Sequence, residues 1–231
     1  MTRLAARDDT AVRQRLRENH GVHALTEPLT FDNVAQVTRV RTASADDRCI
    51  ILSTLGAAFQ NDPVASFIFP DASVRRIRLP RLFAIHYDLQ GKMDARYVTA
   101  AGEAVALWRA PSHRSVSFRE KVSLSVPWLA AVGSAFRRAL AVSAASDANR
   151  PSEPHWYLDI IGCAPSMQGV GFGGAVIRAG LARADADGLA SYVETANEAN
   201  LGFYGTYGFV VTHRWRVPDG PTHWAMLRRP S

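Results

Sequence analysis

Met167-Gln168-Gly169-Val170-Gly171-Phe172-Gly173-Gly174 decides how this 231-residue sequence is read. The stretch lies between a strongly apolar strand pattern, Trp156 to Gly162, and a helical pattern from Ala175 to Asp187 with apolar residues at Val176, Ile177, Leu181 and Ala184. Its four glycines allow backbone N–H groups to approach a ligand closely, and the helix that follows adds the positive end of its dipole. A phosphate or pyrophosphate fits such a turn; the plainer alternative is a tight turn packed on a helix. Gly169, Gly171 and Gly174 also spell G-x-G-x-x-G, and Glu194 stands twenty residues beyond the last glycine, where the ribose-binding acid of a dinucleotide fold falls. Two features count against that reading. Ala164 to Gln168 separate strand from glycines, and only 57 residues follow Gly174, too few for the remaining βαβ units.

Outward from the turn, Ala190 to Glu194 reads as a strand. Asn200 is placed to N-cap a short helix ended by Gly208, and Phe209 to Thr212 with Trp224 to Leu227 form a last strand pair. Towards the N-terminus, Ser143 to Pro154 has loop composition and Trp128 to Val142 reads as a helix. Arg96 to Thr99 and Val105 to Trp108 flank Gly102 as a hairpin. Asp71 to Leu89 is helical, with Pro80 kinking or dividing it, and Ser44 with Asp47 opens a helix running to Phe59. Val37 to Arg41 alternates like a strand. Residues 1–36 are polar, weakly helical over Asp8 to Asn19, and read as an arm, leaving 37–231 as one domain. The order predicts an α+β fold, a mixed central sheet flanked by helices.

Composition narrows the classes. Hydrophobic residues make up 47% and charged residues 21%, as in an ordinary globular domain, which excludes collagen-like and wholly disordered chains. The longest uncharged stretch, Val122 to Phe136, is broken by serines and Pro127 and falls short of the ~20 apolar residues of a bilayer span, and no secretion signal is legible, so no membrane partner and a cytoplasmic location are expected. Cys49 and Cys163 have no partner at zinc-ligand spacing, so no metal is expected. The net charge of +6 is spread out, with Arg75, Arg76, Arg78 and Arg81 the only dense group; a solvated helix face accounts for it, and no nucleic-acid partner is expected.

Gln168, Gly171 and Gly173 match Q/R-x-x-G-x-G/A, and Asn200-Leu201-Gly202-Phe203-Tyr204 through Gly208-Phe209 matches N-x-x-F-Y-x-x-x-G-F. In this order and spacing the sequence resembles the GNAT superfamily of N-acetyltransferases, with the acyl-CoA N-acyltransferase fold. Within it, Trp156 to Pro230 is most similar to puromycin N-acetyltransferase and related actinobacterial enzymes. The resemblance implies acetyl-CoA as cosubstrate, an amine on a small molecule as acceptor, possible antibiotics and metabolites included, and a monomer or homodimer. A protein or peptide N-terminal acetyltransferase, or a catalytically silent acyl-CoA-binding module, would share the same residues.

The resemblance also assigns roles. Backbone N–H groups over Gly169, Val170, Gly171, Phe172, Gly173 and Gly174 would cradle the CoA pyrophosphate, beside Gln168. Ile161, Gly162 and Cys163 would run along the pantetheine, with Asn200 and Phe203 close to the CoA arm. Tyr204 would protonate or hydrogen-bond the departing thiolate; a phenol near pKa 10 facing a thiol near 8.5 makes full transfer slightly uphill. For the base, Glu194 ends a strand beside the cleft, and Asp159 interrupts an apolar strand where an unpaired carboxylate tends towards a raised pKa. An ordinary carboxylate is some five units less basic than an amine, roughly 7 kcal/mol uphill, so a raised pKa or a water relay is required. Both acids equally suit structural hydrogen bonds. His155 and His223 flank the same strands and read as solvated loop residues or proton relays; Cys163 reads as a small buried residue rather than a nucleophile. Phe59, Asp62, Phe67 and Phe69 are candidates for the acceptor end.

Overall fold

A computed structural model describes residues 39–89, 94–111 and 126–231. The arm at 1–36 and its helix Asp8 to Asn19 lie outside the described residues. The strands are β1 (Val40–Thr42), β2 (Ala95–Thr99), β3 (Ala104–Arg109), β4 (His155–Cys163), β5 (Ala190–Thr195), β6 (Val210–Arg216) and β7 (Thr222–Arg228). They form a seven-stranded sheet in the order β1-β2-β3-β4-β5-β7-β6. Every neighbouring pair is antiparallel except β4 and β5, which run parallel. One parallel pair in an otherwise antiparallel sheet is the wrong topology for a dinucleotide-binding fold, so the G-x-G-x-x-G reading fails.

Helices cover both faces. On one lie α1 (Arg48–Ala58), α2 (Pro63–Ile68), α3 (Ala72–Leu89) and α4 (Phe136–Asn149), the last preceded by helical residues 126–132. On the other lies α5 (Phe172–Ala186), followed by the short α6 (Asn200–Gly205). Ile51, Leu55, Leu79, Phe83 and Ala139 pack on Val98, Val105, Leu107 and Ile160, while Val176, Ile177, Leu181 and Ala184 pack on Ala106, Trp108, Leu158 and Val193. Strand β3 is buried on both faces between these layers, which is why Ala104-Val105-Ala106-Leu107-Trp108 has no polar residue.

Local chemistry explains the boundaries. The predicted capping box holds: the Ser44 N–H and hydroxyl both donate to Asp47, at 2.7 and 2.9 Å. Pro80 does not divide α3, which continues from Ala72 to Leu89; the ring lies against Gly56 of α1, where a Cβ would come within 2.9 Å of it. Helix α4 runs on to Asn149, so the loop predicted from Ser143 begins only at Arg150. Ala144, Ala145 and Ala148 are strong helix formers, and Arg150 turns extended (φ −75°, ψ 140°) ahead of Pro151. Helix α5 begins at Phe172 rather than Ala175, with Gly171 left-handed (φ 97°) before it.

The arginine group of α3 is not a uniformly solvated face. Arg75 is buried and donates to the carbonyls of Gln60, Phe69 and Pro70, and Arg78 donates to those of Ala130 and Ala131, tying α3 to its neighbours. Arg76 and Arg81 are exposed.

Candidate active site

The site starts from an irregularity in β4. Leu107 pairs with Ile160 and Trp108 with Leu158, so Asp159 is an extra residue on the β4 side, a β-bulge. Pairing between β4 and β5 stops at Leu158 and Val193; beyond it, Ile160 to Cys163 pairs only with β3, and Glu194 and Thr195 only with β7. The parallel strands therefore part at the bulge. The bulge also sets the faces: Trp156 and Leu158 join the α5 core, while Ile160 packs with α1 and α3.

Two cavities meet at this opening. One, about 670 Å³, is lined by the predicted Ile161, Gly162, Cys163, Gln168, Gly169, Gly171, Gly173, Gly174, Asn200, Phe203 and Tyr204, together with Met167, Asn197 and Tyr207. Val170 and Phe172 are not in its wall; Phe172 is 1% exposed, held in the α5 core, and Val170 packs against that core. The turn keeps its backbone open: Gly169 and Gly171 have φ of 79° and 97°, and a Cβ added at Gly171 would touch nothing within 4 Å. Amide groups at the head of a 15-residue helix suit an anionic phosphate chain, and Gln168 Nε2 braces the turn by donating to the Cys163 carbonyl at 3.3 Å. Asn200 does not cap α6, because the cap position is Ala199. Asn197 instead accepts from the Ala199 N–H at 3.1 Å, and Asn200 Nδ2 reaches Thr195 Oγ1 at 3.5 Å.

The second cavity, about 740 Å³, lies between the split strands and the α1–α4 layer. It shares Phe59, Asp62, Ile161, Asn200 and Tyr204 with the first. Tyr204 is 4% exposed, with its ring edge-on to Phe203 and Phe209 at 5.3 and 5.9 Å, and its hydroxyl has no hydrogen-bond partner among the described residues. Burial pushes this phenol well above its ordinary pKa, and Asp62 pushes it further. Asp62 caps α2, accepting from the Val64 and Ala65 N–H groups at 2.9 Å each. Of the other acceptor-end candidates, Phe59 lines both cavities, while Phe67 and Phe69 line neither.

Glu194 and Asp159 both line the second cavity, in different surroundings. Glu194 accepts from the Ser146 hydroxyl at 2.7 Å and the Tyr192 hydroxyl at 2.8 Å; burial raises its pKa against the lowering by those bonds and by Arg150. Asp159 contradicts the expected raised pKa. Burial pushes its carboxyl up, but Arg109 and His86 hold it well below the usual carboxylate range, with Arg109 Nε and Nη2 at 3.0 and 2.8 Å. His223 is not solvated: it is 5% exposed, stacked on Trp215 at 4.1 Å between ring centres, and burial pushes it down to about 4. His155, also lowered by burial, lies edge-on to Tyr192 and lines neither cavity. Burial pushes the Cys163 thiol up to about 11, and it donates to the Met167 carbonyl, which suits a packed thiol better than a nucleophile.

Sequence reasoning missed His86, Arg109, Ser146, Arg150 and Tyr157, all in the second cavity's wall. One signal was available: an acid inside an apolar strand needs a cation, and the β3–β4 pairing puts Arg109 opposite Tyr157, close to Asp159. Ser146 was hidden by the loop composition of its segment.

Residues 127–209, which contain the glycine turn, the parting strands and Tyr204, match the Acetyltransferase (GNAT) family. The structure is similar to a histone acetyltransferase HPA2 and related acetyltransferase from Corynebacterium glutamicum, with a TM-score of 0.60 and 24% identity over 83% of this chain and 96% of that one. It is similar also to arylalkylamine N-acetyltransferase 2 from Aedes aegypti, with a TM-score of 0.54 and 11% identity over 84% of this chain and 99% of that one. A third likeness is to the ribosomal-protein-S18-alanine N-acetyltransferase from Escherichia coli, with a TM-score of 0.50 and 15% identity over 84% and 94%. At these identities the likeness is one of fold, and the fold is that of the GNAT acyltransferases. The matched stretch thus carries the glycine turn and Tyr204 on a fold shared with the GNAT acyltransferases. Among the described residues, no helix is long and apolar enough to cross a membrane.

Proposed function

We propose that the chain transfers acetyl from acetyl-CoA to the amine of a small molecule by direct attack while both substrates are bound. The observation that carries this is the pair of cavities meeting at Tyr204: a glycine-walled groove for the donor and a separate, largely apolar chamber for the acceptor. A chamber of about 740 Å³ suits a drug-sized molecule. The C-terminal similarity to puromycin N-acetyltransferase makes puromycin the first acceptor to test.

In this reading the Gly169–Gly174 backbone holds the pyrophosphate and β4 beyond its bulge lies along the pantetheine. Acetyl-CoA supplies the activated acyl group. Glu194 takes the proton from the attacking nitrogen; its raised pKa narrows the gap to the amine. Tyr204 stabilises the departing sulfur. A phenol made less acidic by burial donates a hydrogen bond rather than its whole proton, so Tyr204 hydrogen-bonds the thiolate and does not protonate it.

The test is thiol release from acetyl-CoA with a panel of amines, beside titration with acetyl-CoA and NAD. Acetyl-CoA binding with amine-dependent release supports the reading, whereas NAD binding in its place removes it. Acetylation of peptide N-termini alone would move the acceptor to proteins. Tyr204→Phe is expected to lower kcat ~100-fold with acetyl-CoA affinity kept; unchanged turnover would leave Tyr204 a packing residue. Trapping an acetyl group on Cys163 in a single turnover would replace direct attack by a two-step route.

A further inference from the structure

If Glu194 takes the proton, the carboxylate of Asp159 is left without a task in the reaction. Its side chain is 6% exposed, sits at the β4 bulge and lines the acceptor cavity. Arg109 Nε at 3.0 Å, Arg109 Nη2 at 2.8 Å and His86 Nδ1 at 3.5 Å all converge on one oxygen, Oδ2. The other oxygen, Oδ1, accepts nothing among the described residues, yet it is not one of the sealed, unpaired polar atoms, so it borders open space. A buried carboxylate oxygen with free lone pairs is costly until a donor meets it. Arg109 compensates the charge without using that oxygen.

The remaining wall describes the rest of the ligand. Leu82, Phe83 and Val142 offer only apolar contact, and Arg150 lies over the Tyr157 ring at 4.6 Å. Asp62 is occupied by its helix cap and Glu194 by two hydroxyls. A ligand filling this chamber meets apolar surface from Leu82, Phe83 and Val142 and, at Asp159, a fixed hydrogen-bond acceptor.

We propose that Asp159 is a specificity-determining residue that binds, through Oδ1, a second N–H or O–H donor on the acceptor. The preferred acceptors are then lipophilic amines bearing a hydroxyl or a second amino group. This rests on the amine-acetylating function proposed above and assigns Asp159 to recognition rather than to proton removal.

The test compares alkylamines with diamines and amino alcohols of matched chain length, over a series of lengths. Thiol release gives kcat and KM, and calorimetry with CoA bound gives Kd where turnover is slow. At one length the donor-bearing member is expected to have a KM or Kd ~10- to 100-fold lower than its plain partner, with a similar kcat. Asp159→Asn, which can present an N–H₂ where Oδ1 stood, is expected to shrink the preference below about 3-fold, the donor-bearing member losing more than its plain partner. Equal affinities at every length in the unmodified protein overturn the proposal, and that comparison needs no variant to fold. So does a preference that survives Asp159→Asn, or an equal loss for both members of a pair, which would mark Asp159 as a structural or amine-holding residue. If the unmodified protein fails to bind acetyl-CoA, the proposed function falls first; acetyl-CoA binding without the preference removes only this inference.

Discussion

Glu194 and Asp159 lie in the wall of one cavity, and their surroundings push them in opposite directions: burial, against the opposing pull of two hydroxyls, leaves one less acidic than usual, and a guanidinium keeps the other ionised. If Glu194 is the proton acceptor it must be unprotonated, so kcat falls as pH drops through its raised pKa. Glu194→Gln should abolish that limb and lower kcat ~100-fold or more, which a pH profile at saturating acetyl-CoA would reveal. A profile unchanged in shape would move proton removal to water. At this scale the glycine turn and Phe203-Tyr204 were legible because each is a local motif. Arg109 and His86 were not, because they reach Asp159 across 50 and 73 residues, and Asp159 itself was misjudged for want of them.

Among the elements, α1 presses on β4 at the opening itself. A Cβ at Gly162 would lie 2.9 Å from Leu55 Cδ2, 3.1 Å from Ala58 Cβ and 3.3 Å from Phe59 Cε2. Gly162→Ala should therefore cost about 1–3 kcal/mol in denaturant unfolding and raise KM for the acceptor, since Phe59 walls both cavities. An alanine variant of native stability would show that α1 can withdraw freely. The helices and strands from Trp156 onward were read to within a few residues, because alternation and glycine stops are strong there. The second half of α4 was lost because alanine and serine in Ser143 to Asn149 carry no apolar stripe to distinguish helix from loop.

For the molecule as a whole, three carboxylates set the acid limit. Asp47, Asp159 and Asp185 are held below ordinary carboxylate values, Asp47 and Asp185 chiefly by bonds from Arg41 and Arg228 and Asp159 by Arg109 against its burial, with Asp185 lowered to about 2. A depressed folded-state pKa stabilises above the unfolded value, about 3.9, and that contribution disappears as pH falls towards the folded value. Urea midpoints should thus fall from pH 5 to pH 2.5; a flat dependence would mean that the pairs persist in the unfolded chain. Ligand occupancy acts in the other direction. Acetyl-CoA at a hundred times its Kd should raise Tm by about 5–10 °C, and NAD should not.

Phe59, Asp62, Ile161, Asn200 and Tyr204 belong to the walls of both cavities. On the proposed function, a side chain that one substrate shifts is shifted for the other as well, which would make the two substrates effectors of one another. Thermodynamic linkage then requires reciprocity: the factor by which CoA tightens the acceptor must equal the factor by which the acceptor tightens CoA. Closing that four-state binding cycle by calorimetry would weigh the shared partition directly, and a factor of one would make the cavities neighbours rather than partners.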